Sequence, residues 1–214
     1  MIPAATVDSL QRRISEMQPV RLDDRALPTH AGLRTLLPGG ALRKGASYSV
    51  HGSQQLALAL MSASSASGAW CGVIGCRSFG AEAAVELGVA LDRCVLIPEP
   101  GAHAISLASA LCEILTVVLL RATSTPRAGD AERISARLRE HGAALIVLGD
   151  WPRPESTLRV TGSQWTGLGR GHGALRSRRL AVRTQDRRGV REHTVGFEDG
   201  AVVADPSPIA SGLR

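Results

Sequence analysis

Aromatic residues make up only 3% of this chain. Its core must therefore be assembled from Ala, Val, Leu and Ile, and base stacking on a row of aromatic platforms is a poor candidate for its main activity. Lysine is scarcer still. Lys44 is the only one among 25 Lys and Arg residues. No apolar run approaches the ~18 residues of a membrane span, and the N-terminus lacks the charged, apolar, then small pattern of a leader. These absences predict a cytoplasmic protein with no membrane partner. The four cysteines, Cys71, Cys76, Cys94 and Cys112, have no Cys-x-x-Cys spacing and no His at metal-ligand spacing. Buried thiols are expected and a metal site is not.

What is present fits one ordinary domain with short appendages. The 214 residues are 44% hydrophobic and 21% charged, enough for a real core. The formal net charge of +6 is unevenly spread: residues 151–214 hold 11 basic and 6 acidic residues, a net of +5. The preference for Arg over Lys is a matter of base composition. The clustering instead points to an anionic partner.

Residues 4–17 read as a short amphipathic helix with Val7, Leu10, Ile14 and Met17 on one stripe. Pro19, Pro28 and two adjacent Asp make 18–31 a linker. Beyond it, strands are predicted at 46–51, 70–76, 93–99, 116–120 and 143–149. Helices are predicted at 54–65, 81–90, 103–115 and 130–141. Continuous apolar strands alternating with helices predict an α/β fold, a mostly parallel sheet covered on both faces. After Asp150 the strands (158–168, 178–184, 191–198) are more polar, as antiparallel strands at a sheet edge would be. The domain reading is 1–31 for the helix and linker, 32–198 for the core and 199–214 for a flexible tail.

In such a fold, a strand ending in glycine before a helix is where phosphates bind, on the backbone N–H groups of the helix start. Here that place is Val50-His51-Gly52-Ser53-Gln54. A working P-loop needs G-x-x-x-x-G-K-[ST], with Lys neutralising the phosphates and the hydroxyl holding Mg²⁺. The only lysine lies eight residues upstream of Gly52, so this chain has no P-loop lysine.

The order LPGGALRKG, strand, HGS, QLALAL, WCGVIGC, FGAEAAVELGVALDRCVLIPEPG resembles the ATPase core of the RecA recombinase family. GHGALRSRRLAVRTQDRR resembles the segment after that family's second DNA-binding loop. The resemblance covers about residues 32–198 and implies a RecA-like core without the extra C-terminal domain. It also implies a vestigial nucleotide pocket. Ser53 stands for the phosphate lysine, Gln54 for the Mg²⁺-binding Thr and Arg77 for the water-activating Glu. Arg121 stands for the Walker B Asp and Asp150 for the γ-phosphate-sensing Gln. No catalytic residue and no cofactor are then expected, since phosphoryl transfer depends on Mg²⁺ and positive charge at these points.

A lysine-poor, emptied chain of this kind is similar to the ImuA-prime family of actinobacteria, also labelled RecA-like or SulA-like. LALALMSASSASGAWCGVIG and RCVLIPEPG carry that likeness. The resemblance implies a non-enzymatic part in DNA-damage-induced mutagenesis, partnering ImuB, a catalytically inactive Y-family polymerase homologue, in a translesion complex. A SulA-like inhibitor of cell division and a divergent RecA-like ATPase or DNA-binding protein are the alternatives.

Between Arg170 and Arg191 stand eight arginines against one acid, Asp186. Arg170 and Arg176 lie in or beside a glycine-rich loop, Arg178, Arg179 and Arg183 on or near a strand, and Arg187 and Arg188 in the turn after it. Alternation puts Leu180 and Val182 on one face, Arg179 and Arg183 on the other. Three readings stay open for this stretch: single-stranded DNA contact, an acidic protein partner, and a charged edge that deters pairing. The N-terminal helix is the candidate partner helix, by self-association or with another protein. Trp151 and Trp165 read as packing anchors. His51 is the only histidine near the vestigial pocket, and a structural role suits it best.

Overall fold

The computed structural model describes residues 24–122, 126–168 and 173–204. Val7, Leu10, Ile14, Met17 and Arg170 lie outside the described residues. The short strands β1 (Ala26–Leu27) and β2 (Leu42–Arg43) pair antiparallel in a small sheet of their own. Thr29 ties them, donating to Leu27 O and accepting from Leu42 N, both at 3.0 Å. This places residues 26–27, read from sequence as linker, in ordered structure.

The rest of the chain alternates as the apolar runs dictate. In order come β3 (Ser47–His51), α1 (Gln54–Ala66), β4 (Cys71–Ile74), α2 (Ala81–Glu86), β5 (Cys94–Ile97), α3 (Ala104–Ile114), β6 (Val117–Arg121), α4 (Ala128–His141) and β7 (Ala144–Leu148). Three long strands follow, β8 (Ser156–Leu168), β9 (Gly173–Asp186) and β10 (Gly189–Glu198), and a short one, β11 (Ala201–Val203). Among the described residues they form one nine-stranded sheet in the order β11-β10-β9-β8-β3-β7-β6-β4-β5. From β8 to β5 every neighbouring pair is parallel. From β8 to β11 every pair is antiparallel.

Both faces of the parallel half are buried. On one, Leu56, Leu60 and Met61 of α1 and Ala84 of α2 pack on Tyr48, Val50, Val73, Leu119 and Ile146. On the other, Cys112 of α3 and Ile134 and Leu138 of α4 pack on Ile74, Val118, Leu120 and Val147. The core is indeed aliphatic, and fully burying each such side chain contributes roughly 1.5–3 kcal/mol. Cys71, Cys76 and Cys112 are buried within it and Cys94 is half-buried, all unpaired. Burial pushes the Cys71 thiol up to about 11 and the Cys112 thiol up to about 12, so these sulfurs are filler, not nucleophiles.

Two predicted boundaries are corrected. The helix expected over 81–90 ends at Glu86 because Gly88, at φ +94°, takes the left-handed position of a Schellman cap. Gly88 N donates to Val85 O and Val89 N to Ala84 O. Of the flexible tail expected over 199–214, residues 199–203 are ordered and 205–214 lie outside the described residues. Asp199 and Gly200 both have positive φ and make a tight two-residue turn, which folds Ala201–Val203 back along β10 with Glu198 opposite Ala201. No helix among the described residues is long and apolar enough to cross a membrane.

Candidate functional site

The vestigial pocket predicted from sequence falls at the carboxyl ends of β3, β6 and β7. Gly52 turns the chain out of β3 at φ +85°, so close to β8 that an added Cβ would lie 3.2 Å from Val160 Cβ. Ser53 follows in extended backbone and caps α1: its Oγ accepts from Leu56 N at 3.1 Å. The hydroxyl is thus committed to the helix start, as N-cap serines are. Gln54 is held at both ends of its amide. Its Nε2 donates to Ser78 O at 3.2 Å and its Oε1 accepts from Arg121 Nη2 at 2.7 Å.

Arg121 therefore sits at the last position of β6 with its guanidinium across the mouth of the loop. It also neighbours the Cys76 thiol, raising the thiolate's share against the opposing and larger effect of burial. Asp150 lies one strand over, its Oδ1 3.6 Å from His51 Nε2, which is too long for a hydrogen bond. Burial lowers the His51 pKa, Arg159 lowers it further and Asp150 opposes both. His51 is therefore neutral at pH 7. Arg77 does not join this group. It is 78% exposed and faces Glu99 at 3.5 Å. The lone lysine is remote: Lys44 precedes β3 and lines a cavity of about 790 Å³ with Arg139, Glu113 and Glu155 at the opposite end of the strand.

The arginine stretch divides by strand parity. Leu180, Val182 and Thr184 are buried, while Arg183 and Gln185 face out. Arg178 points inward, beyond the end of the core. It stacks on Trp165 at 4.8 Å from the ring centroid and donates from Nε to Ser163 Oγ and from Nη1 to Gln55 Oε1, each at 3.0 Å. Arg178 is thus a structural clamp between the β8–β9 hairpin and the first turn of α1. Trp151 is buried, as expected of a packing anchor, whereas Trp165 is 47% exposed beneath Arg178.

Arg179 and Arg183 share the outer face, four residues and hence about 13 Å apart. Arg183 is held by Glu192, with Nη2 at 2.9 Å and Nε at 3.3 Å. Arg176, Arg187 and Arg188 are exposed. Asp186, whose side chain is only 2% exposed, takes Arg191 Nη2 at 2.6 Å and Arg188 N at 2.7 Å. Charge in this stretch is thereby partly matched within the sheet.

One residue escaped the sequence reading. Arg159 of β8 is exposed and lies directly opposite Arg183 in the antiparallel register. His51 pairs with Arg159 on its other side, and Glu192 with Arg183. The result is a row across four strands, His51–Arg159–Arg183–Glu192, with two like charges adjacent at its centre. Like charges directly opposite destabilise a sheet, and here the Glu192 carboxylate on Arg183 offsets part of that repulsion. The alternation Leu158, Arg159, Val160 carried the signal in sequence.

A mostly parallel sheet flanked by helices, with the Gly52–Ser53 turn and α1 at its carboxyl edge, is an α/β fold of RecA-like type. The crystal structure of the RadB recombinase is similar with a TM-score of 0.53, covering 80% of this chain and 96% of that one at 16% identity. That likeness concerns the fold alone. Residues 35–153 match the MT3502 N-terminal domain family, and the chain belongs to it. It is 31% identical over 153 residues to the uncharacterized protein Rv3395c of Mycobacterium tuberculosis, a match spanning 67% of this chain and 72% of that protein.

Proposed function

We propose that this chain is a non-catalytic RecA-like accessory factor in DNA-damage-induced mutagenesis, holding a translesion-synthesis complex together through an ImuB-like, inactive Y-family polymerase homologue. The observation that carries this reading is the bond between Arg121 and Gln54. By the resemblance, these two positions would hold the magnesium carboxylate and the magnesium-binding hydroxyl. A guanidinium and an amide stand there instead, joined to each other. A fixed cation at that point repels Mg²⁺ and leaves no carboxylate to hold it, and phosphoryl transfer by the family mechanism depends on that metal.

The sheet has a parallel half and an antiparallel flank, β8–β11. The outer face of β8–β10 carries Arg159, Thr161, Gln164, Arg183 and Gln185, all exposed. Its arginines suit the phosphates of single-stranded DNA, contacted without reading sequence. Affinity capture of the tagged full chain from DNA-damaged cells tests the proposal. Recovery of an inactive Y-family polymerase homologue is expected. Recovery of the tubulin-like division protein in its place would support the SulA-like alternative and overturn this one.

A further inference from the structure

The cavity that holds the lone lysine opens at the amino ends of β3, β6 and β7, the end of the sheet away from the Gly52 turn. Its volume of about 790 Å³ is that of a small-molecule site. Lys44 and Arg139 stand in its wall, with Arg25 and Arg43 beside them. Neither the Lys44 ammonium nor the Arg139 guanidinium forms an ion pair or hydrogen bond with another described residue. Two cations thus face one cavity with their charge unspent.

The segments that carry them interlock. Gly45, at φ +83°, packs on Arg139: an added Cβ would lie 3.3 Å from Arg139 Cγ. Gly142, at φ +70° past the end of α4, packs in turn on the Lys44 stem, where an added Cβ would lie 3.6 Å from Lys44 Cδ. Each glycine leaves room for the other segment's cation. The backbone between β2 and β3 is pinned as well. Gly45 N donates to Ala143 O at 2.8 Å, Lys44 N to Arg25 O at 2.7 Å and Arg43 N to the buried Tyr48 hydroxyl at 2.9 Å. The negative end of the α4 dipole helps to keep both cations there.

We infer that this cavity binds a small organic phosphate, its phosphate between Lys44 and Arg139 and its carbon skeleton against Ile114. Three carboxylates also line the cavity. Glu113 is matched by an ion pair with Arg137. Glu140 and Glu155 remain, so the four cations leave a net of +2 with histidine counted neutral. A phosphate monoester, at about −1.5 to −2, neutralises that charge, and guanidinium groups fit its oxygens in pairs. Ile114, at the end of α3, is 74% exposed and lines the same cavity, an apolar surface for the ester's carbon part. Glu140 and Glu155 repel a longer polyanion, so one phosphate suits the cavity better than a nucleic-acid strand. The site is separate from both the Gly52 turn and the Arg159–Arg183 face and goes beyond the function proposed above.

The test titrates the full chain with phenyl phosphate, phenol and sodium sulfate, followed by calorimetry and by amide shifts. Phenyl phosphate is expected to bind at least about tenfold more tightly than the other two and to shift the amides of Gly45, Thr116 and Gly142. Lys44→Gln and, separately, Arg139→Gln should each weaken it about fivefold or more with unchanged circular dichroism. Ile114→Ser should weaken phenyl phosphate more than inorganic phosphate. No binding, shifts confined to β8–β10, or full retention in both Lys44→Gln and Arg139→Gln overturns the proposal. So does displacement of phenyl phosphate from these amides by an acidic heptapeptide or oligo-dT at lower concentration, since the occupant would then be a macromolecule.

Discussion

Arg121 Nη2 lies 2.7 Å from Gln54 Oε1, joining the end of β6 to the first turn of α1. The bond spans the mouth of the Gly52 turn. It leaves that mouth lined by a guanidinium already bonded to the Gln54 amide.

Replacing Arg121 by alanine should remove that charged hydrogen bond and leave Gln54 half-satisfied. The expected loss is about 1–2 kcal/mol, read from urea unfolding at constant m-value. Arg121→Asp should lose at least as much and should not create magnesium-dependent ATP turnover, since Ser53 and Gln54 still lack the lysine and hydroxyl. A stable Arg121→Asp protein that hydrolyses ATP would contradict this.

Gly52→Ala meets two penalties at once, a φ of +85° and a Cβ 3.2 Å from Val160. A loss of about 1–3 kcal/mol is expected, visible as a lowered Tm. Ser53→Ala should cost about 1 kcal/mol through the lost cap, and Ser53→Asp should restore most of it. Equal stability of the alanine and aspartate variants would show that the cap contributes little.

The histidines give stability a pH dependence of known sign. Burial lowers the pKa of His51 and of His193 below the ordinary 6.5. The unfolded chain therefore binds these protons first as pH falls. Their contribution is complete above pH 6.5 and is lost progressively below it, toward the folded pKa values. Denaturant midpoints should be level from pH 7 to 8 and decline below about 6.5. The double variant His51→Gln, His193→Gln should flatten that decline.

Much of the fold was legible in the sequence. The apolar runs at 46–51, 116–120 and 143–149 are strands in the parallel half because both faces there are buried, leaving no alternation to misread. Residues 201–203 of the expected tail are strand because Asp199-Gly200 is a two-residue hairpin signal. For the site, loop position and strand ends were readable one residue at a time. Pairings across strands were not. The opposition of Arg159 and Arg183, the Arg183–Glu192 bond and the Arg178–Gln55 clamp depend on register, which lies in the fold and not in local pattern.

The outer arginine face gives a graded expectation. Arg159→Gln with Arg179→Gln and Arg183→Gln should reduce oligo-dT binding and flatten its salt dependence by about 0.7 per lost phosphate contact in the log–log slope. Glutamine avoids setting a new acid against Glu192. Unchanged affinity and slope in low-salt anisotropy would remove nucleic acid from the partners of this face.

The emptied pocket is the central claim, and steady-state ATP turnover by the purified full chain, with and without Mg²⁺, tests it most directly. Phosphate release no greater than in buffer, with or without Mg²⁺, is the predicted result. A Mg²⁺-dependent rate that disappears on Gln54→Ala would contradict it.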